Sequence, residues 1–194
     1  TQQAIPPSYE DTAVFYKTKN EASSYIPVAW ITQVDTYVGG IVSSGGGTIN
    51  LGNELLNQEV PANFQVYGKL SVQICDEVSA MTFGNSFDQN EGTAAVEFSV
   101  GGIEVASEVY GGRTFNSYGS ATLTFDYTDS RISSSVINVN GDVKLGGCNV
   151  EGVNSAAILN IGADKMSVSG IMEMNRNGWS YSNVTFTKSC VLEL

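Results

Sequence analysis

The feature that most constrains the fold is a series of short runs in which apolar and polar residues alternate at every second position. Three of the clearest are FQVYGKLSVQIC at 64–75, TAAVEFSV at 93–100 and ATLTFDYT at 121–128. These runs are rich in β-branched and aromatic residues, which pack well on a pleated surface, so they predict β-strands. Further runs of this kind lie at 28–34, 137–145, 158–161, 168–174 and 179–186.

Between the runs stand clusters of Gly, Asn, Asp and Ser, such as SSGGG at 43–47 and NVNGD at 138–142. These residues favour turns. Only GNELLNQEV at 52–60 has a helical pattern, for about two turns. Many strands without alternating helices, and without a repeat of fixed period, predict an antiparallel sandwich or barrel.

We therefore predict an all-β fold, a single antiparallel Greek-key jelly-roll sandwich. The jelly-roll domain is predicted at 27–194. It follows an extended N-terminal segment at 1–26, which is mostly polar and contains Pro6 and Pro7.

The charge balance argues against a nucleic-acid or membrane surface. The chain has 9 Lys and Arg against 20 Asp and Glu, a formal net charge of −11. Phosphate groups and acidic lipid headgroups would repel such a surface. In addition, no stretch approaches the roughly 18 apolar residues that a membrane-spanning helix needs.

The sequence contains no histidine. This removes the usual general base near neutral pH and the commonest metal ligand, and it rules out Ser-His-Asp and Cys-His pairs. The Gly-rich SSGGGT at 43–48 lacks the lysine of a phosphate-binding loop and predicts an interstrand loop. Carboxylates are plentiful enough for a glycosidase pair, but nothing singles out two of them. We predict no enzyme, no catalytic residues, no metal site and no cofactor.

The three cysteines are Cys75, Cys148 and Cys190, and no two have zinc-site spacing. Their odd number prevents a complete disulfide framework within one chain. Free thiols are the favoured expectation, with a single bridge as the alternative, and free thiols favour a reducing compartment.

Three local patterns each have a structural and a functional interpretation. Trp30 and Trp179 stand in strand-like runs, where packing is the default and ligand stacking the alternative. Pro6-Pro7-Ser8-Tyr9 matches a motif that docks as a polyproline segment, or is part of the N-terminal extension. Asn183-Val184-Thr185 is a glycosylation sequon if the chain is secreted, and otherwise part of a strand.

Three stretches taken in order are similar to the small coat protein of comoviruses and their relatives, the Secoviridae. They are VYGKLSVQI at 66–74, EVYGGRTFNSYGSATLTFDYTD at 108–129 and ADKMSVSGIMEMNRNGWSYSNV at 163–184. The middle stretch carries most of the similarity. It has an aromatic residue, then Arg113-Thr114-Phe115, a polar bend, and Gly119-Ser120-Ala121 leading into a strand.

This resemblance implies a jelly-roll capsid protein released from a polyprotein, which would account for a chain that starts at Thr1 without Met. Its partners would be a large coat protein and further copies of itself, in an icosahedral shell around positive-strand RNA. RNA contacts would be weak, because no basic arm is present. The implied location is the virion, and the host cytoplasm during assembly.

Other functions fit the same residues. The main alternative is a secreted bacterial β-sandwich surface protein, a pilus or filament subunit or an adhesin, because Gly, Ser, Asn and Thr are abundant. A lipocalin-like barrel with an internal cavity is a third candidate. A viral matrix protein, suggested by the Pro-Pro-Ser-Tyr segment, is opposed by the acidic charge.

Overall fold

The computed structural model describes residues 8–16, 18–20, 23–75, 79–88, 91–112, 118–146, 154–175 and 180–194. Most of them lie in strands, and within these ranges the only helical elements are 3-10 turns at Asn53–Leu55 and Tyr110–Gly112. The mostly-β expectation agrees with this content. The helix expected at 52–60 shortens to the first of these turns.

Two large sheets contain nearly all the strands. The six-stranded sheet consists of β4 (Val28–Ile31), β7 (Gly47–Leu51), β9 (Ser79–Asn85), β11 (Tyr118–Asp126), β14 (Asn154–Gly162) and β17 (Ser180–Phe186). The ten-stranded sheet consists of β1 (Thr12–Tyr16), β5 (Asp35–Val38), β6 (Gly40–Ser44), β8 (Ala62–Ile74), β10 (Ala94–Val109), β12 (Ile132–Val139), β13 (Val143–Leu145), β15 (Lys165–Val168), β16 (Met172–Met174) and β18 (Val191–Glu193). The remaining strands, β2 (Thr18–Asn20) and β3 (Ser23–Tyr25), form a small antiparallel pair.

The chain alternates between the two large sheets, and every strand pair within them is parallel. After each strand of the six-stranded sheet, the chain crosses to the ten-stranded sheet and then returns one position further along the stack. This is the winding of a parallel β-solenoid. Six successive coils begin at residues 28, 47, 79, 118, 154 and 180.

The predicted antiparallel Greek-key jelly roll is therefore wrong. Alternating burial is the same in parallel and antiparallel strands, so the apolar pattern identified the strands but not their direction. Parallel sheets normally have helices over their faces. Here the described residues contain no α-helix, and each sheet covers the inner face of the other.

In the ten-stranded sheet the chain turns a corner at a column of stacked glycines. Val38, Val66, Val100, Val139 and Val168 precede this corner in successive coils, and all are at least 96% buried. Just after them come Gly39, Gly68, Gly101, Gly141 and Gly170. A Cβ on any of these glycines would lie closer than 3.0 Å to neighbouring backbone. For the last four, that backbone belongs to the preceding coil, so only glycine lets the coils stack this tightly.

The space between the sheets is filled by apolar side chains. Phe64 and Phe98 are in register on the ten-stranded sheet, and Phe83 and Phe125 are in register on the facing sheet. Their ring centroids lie 4.9–6.2 Å apart in five contacts across and along the stack. Edge-to-face and offset arrangements at these distances are favourable. The interior between the sheets is a packed core. A lipocalin-like barrel would instead enclose a cavity for its ligand.

The described part of the 1–26 segment contributes β1 to the stack. This strand pairs in parallel with β6, and Phe15 is buried against the position of Gly47. Pro6 and Pro7 lie outside the described residues.

Candidate functional site

Because alternate residues of a strand point to opposite sides, the coils place columns of side chains on the outer face of each sheet. One column of the ten-stranded sheet is polar over most of its length. Its members, in register across successive strands, are Tyr37, Gln65, Ser99, Asn138, Ser167 and Glu193. We call the last five the polar column.

An open groove of about 500 Å³ runs along the outer face beside this column. Its lining residues are Glu97, Ser99, Asn138, Val139, Asn140, Ser167, Val168, Ser169, Glu193 and Leu194. Val139 and Val168 are buried in the core, so the side chains on the outer face are hydroxyl, amide and carboxylate groups together with Leu194.

Hydrogen bonds fix the two carboxylates of the groove. Asn138 Nδ2 donates to Glu97 Oε1 at 2.9 Å. Ser167 Oγ donates to Glu193 Oε2 at 3.0 Å, and Lys165 Nζ forms an ion pair with the same oxygen at 2.9 Å. The bonds from Lys165 and then Ser167 lower the pKa of Glu193, so this carboxylate is charged at neutral pH.

Other polar side chains of the groove have capacity for a ligand. Within the described ranges, the exposed side chains of Asn140 and Ser169 make no hydrogen bond to the protein, nor does that of Ser99, which is only 8% exposed. A hydroxyl both donates and accepts, and an amide offers two donors and an acceptor. The groove therefore presents mixed donors and acceptors rather than a single charge type.

A cluster of exposed tyrosines lies at the N-terminal end of the same face. The ring of Tyr67 meets the ring of Tyr9 at a centroid distance of 6.3 Å and that of Tyr37 at 6.4 Å, both edge-on. These side chains are 50–59% exposed. We call Tyr9, Tyr37 and Tyr67 the tyrosine cluster. Tyr37 occupies the position that precedes Gln65 in the polar column, so cluster and groove follow one line across the coils.

The two carboxylates of the groove come from different strands. Glu97 lies on β10 and Glu193 on β18, with β12 and β15 between them. Three strand spacings separate the two backbones by about 14 Å, and the side chains reach inward to Asn138 on β12 and Ser167 on β15. No feature of the described residues assigns them the acid and nucleophile roles of a glycosidase pair.

A smaller pocket of about 210 Å³ lies on the six-stranded sheet beside Trp30, which is 52% exposed. Asn53 and Asp88 hold one wall through two reciprocal hydrogen bonds at 3.1 and 3.2 Å. Core packing is thus wrong for Trp30, and interface packing, the other form of packing expected for it, stays a prediction. Trp179 lies outside the described residues.

The Gly-rich segment singled out from the sequence does not form a phosphate site, and the sequon at Asn183 lies in a strand. Residues 43–47 are buried at a corner between the sheets, where Gly45 N donates to Ser79 Oγ at 2.9 Å, so their amides are closed to phosphate. Asn183 is exposed on β17 and donates to Thr185 Oγ1 at 3.2 Å.

The cysteines and the acidic side chains of the described residues do not mark a metal or redox site. No disulfide joins Cys75 to Cys190, and both are partly buried, while Cys148 lies outside the described residues. Burial raises the pKa of the Cys190 thiol, which lowers its reactivity. The described residues contain no cluster of three or more Cys, Asp or Glu side chains able to hold a metal ion. Nor do they contain a helix long and apolar enough to cross a membrane.

Sequence reasoning missed both the polar column and the tyrosine cluster. Successive members of the column are 26 to 39 residues apart in the sequence, and only the parallel register brings them together.

Comparison with known proteins adds no relative: no protein-family model, curated protein or solved structure matches this chain.

Proposed function

We propose that this chain is a non-catalytic binding module of a surface-exposed protein, of the adhesin or filament type. In this proposal the coil stack is a rigid support, and the outer face of the ten-stranded sheet contacts the target. The non-catalytic part is supported by the absence of histidine.

One observation carries this proposal: the interior of the stack is a continuous apolar core, whereas the outside carries an open groove with polar side chains and, on the same face, a cluster of exposed tyrosines. A protein built in this way contacts a ligand across its faces. Binding residues placed on rigid strands keep their geometry, which suits attachment.

The coat-protein hypothesis is the alternative proposal. It derived from a resemblance whose implied fold was a jelly roll, and the parallel coils replace that fold. Its partners, a large coat protein and RNA, therefore have no structural argument in their favour here. The surface-protein alternative needs only exposed faces, and it does not depend on the sandwich first expected for it.

Immunogold electron microscopy of the source material tests the proposal. Antibodies raised against the folded chain should label the outside of intact, unpermeabilised cells. Serum pre-absorbed with the purified chain should remove the label. Label on icosahedral particles would favour the coat-protein hypothesis instead, and label that requires permeabilised cells would exclude a surface role.

A further inference from the structure

We propose that the groove and the tyrosine cluster together bind a neutral, extended oligosaccharide. This inference rests on the proposed surface function and deepens it by naming the class of ligand. The ligand would lie across the coils, along the line from Tyr37 through the polar column to Glu193.

The spacing of polar groups favours a ligand that repeats. Neighbouring strands place Gln65, Ser99, Asn138, Ser167 and Glu193 at intervals of about 4.8 Å along a straight line. A linear oligosaccharide offers hydroxyl donors and acceptors at every ring. The mixed hydroxyl, amide and carboxylate groups of the column match that chemistry, whereas an apolar helix or lipid would remove water from their remaining donors and acceptors without replacing its hydrogen bonds.

The tyrosine cluster supplies what the groove lacks, namely flat apolar surface. Its rings are about half exposed, and the edge-on contacts to Tyr67 hold Tyr9 and Tyr37 in place. Tyrosine combines an apolar ring with a polar tip and loses little conformational entropy on binding. A pyranose ring has a face of C–H groups that packs on such a ring while its hydroxyls reach the polar column.

The negative charge of the groove determines which class of carbohydrate it can bind. Glu97 and Glu193 line the groove, Lys165 is already paired with Glu193, and the chain has a net charge of −11. Sulfated or uronic-acid polysaccharides would be repelled by this surface. The ligand is therefore an uncharged glycan.

The experiment is titration of the whole folded chain with three neutral hexasaccharides, namely cellohexaose, maltohexaose and chitohexaose, followed by calorimetry and NMR. Heparin serves as the charged comparator. We expect at least one neutral hexasaccharide to bind and heparin not to bind. Binding of heparin alone, or of none of the four, would overturn the proposal.

Variants locate the site. Tyr37→Ala and Asn138→Ala should each weaken binding about tenfold, the equivalent of 1.4 kcal/mol. Tyr37→Phe should retain most of it, because the ring remains. Tyr110→Ala is the matched control, since Tyr110 is 41% exposed beyond the end of β10 and outside the column. Circular dichroism checks that each variant is folded.

Two results would place binding elsewhere and overturn the assignment. One is loss of binding in Trp30→Ala with no change in Tyr37→Ala, which would move the ligand to the pocket of the six-stranded sheet. The other is equal loss in Tyr110→Ala. The surface role is tested separately by immunogold labelling, so labelled cells without hexasaccharide binding would reject the ligand class alone.

Discussion

Gly68 lies directly against Gly39 of the preceding coil: its backbone N–H donates to the carbonyl oxygen of Gly39 at 2.6 Å. A Cβ on Gly68 would stand at 2.6 Å from the same oxygen. One coil further along, a Cβ on Gly101 would stand at 2.7 Å from the carbonyl oxygen of Gly68. The corner of the solenoid therefore depends on residues without side chains.

Gly68→Ala should destabilise the fold, because the new methyl group collides with backbone that cannot rotate away. Overpacking of this kind costs about 1–3 kcal/mol. Gly84→Ala is the control, since a Cβ there would have no neighbour closer than 3.5 Å. Urea unfolding followed by circular dichroism measures both, and equal stability of the two variants would contradict the role of the corner.

The alternating pattern located most strands correctly. The runs at 64–75, 93–100 and 121–128 fall within or largely overlap β8, β10 and β11. Alternation reports which side chains point inward, and this is identical for the two strand directions. Glycine-containing turns such as NVNGD at 138–142 fit both a hairpin and a solenoid corner. They therefore do not determine the direction of the strands, and the antiparallel prediction is wrong.

The repeat was hidden by its irregular length. Successive coils begin 19 to 39 residues apart, and a repeat search looks for a fixed period. One signal was available: a valine precedes a glycine by one or two residues at Val38, Val66, Val100, Val139 and Val168. The candidate site could not be predicted from the sequence, because Tyr37 and Glu193 fall on one line only when the register between the parallel strands is known.

Phe98 should be highly sensitive to truncation. It is fully buried and its ring contacts Phe64, Phe83 and Phe125 at 4.9–5.5 Å. Truncating a buried phenylalanine costs about 3–5 kcal/mol, so Phe98→Ala should lower the free energy of unfolding by that amount. Phe186→Ala, at a ring that is 46% exposed, should cost far less in the same urea titration.

Arg131 joins the connections of two successive coils. Its guanidinium donates to both carboxylate oxygens of Asp129, at 3.0 and 2.7 Å, and to the Phe87 carbonyl at 3.1 Å. It also lies over the Phe87 ring, 5.5 Å from the centroid. A lysine cannot reproduce this planar, branched set of bonds.

Arg131→Lys should therefore lower the Tm by about 3–6 °C, nearly as much as Arg131→Ala. Lys144→Ala, which removes an exposed ion pair with Asp142 at 3.6 Å, should leave the Tm almost unchanged. Differential scanning calorimetry measures all three. A lysine variant with the Tm of the unmodified chain would show that charge alone suffices at this position.

Asp164 should make the coil stack acid-sensitive. Its Oδ2 accepts bonds from the backbone N–H and hydroxyl of Ser135 at 2.8 and 2.9 Å, and its Oδ1 pairs with Lys188 at 2.7 Å. The contact with Lys188, followed by those with Ser135, lowers the pKa of Asp164 below its ordinary value of 3.8.

Because the pKa of Asp164 is lower in the folded chain than in the unfolded chain, the stabilisation is fully present well above pH 3.8 and is lost as the pH falls through the folded value. The Tm should hold steady between pH 7 and pH 5 and decline below about pH 4. Asp164→Asn should start from a lower Tm and decline less steeply, and parallel curves for the two proteins would contradict this assignment.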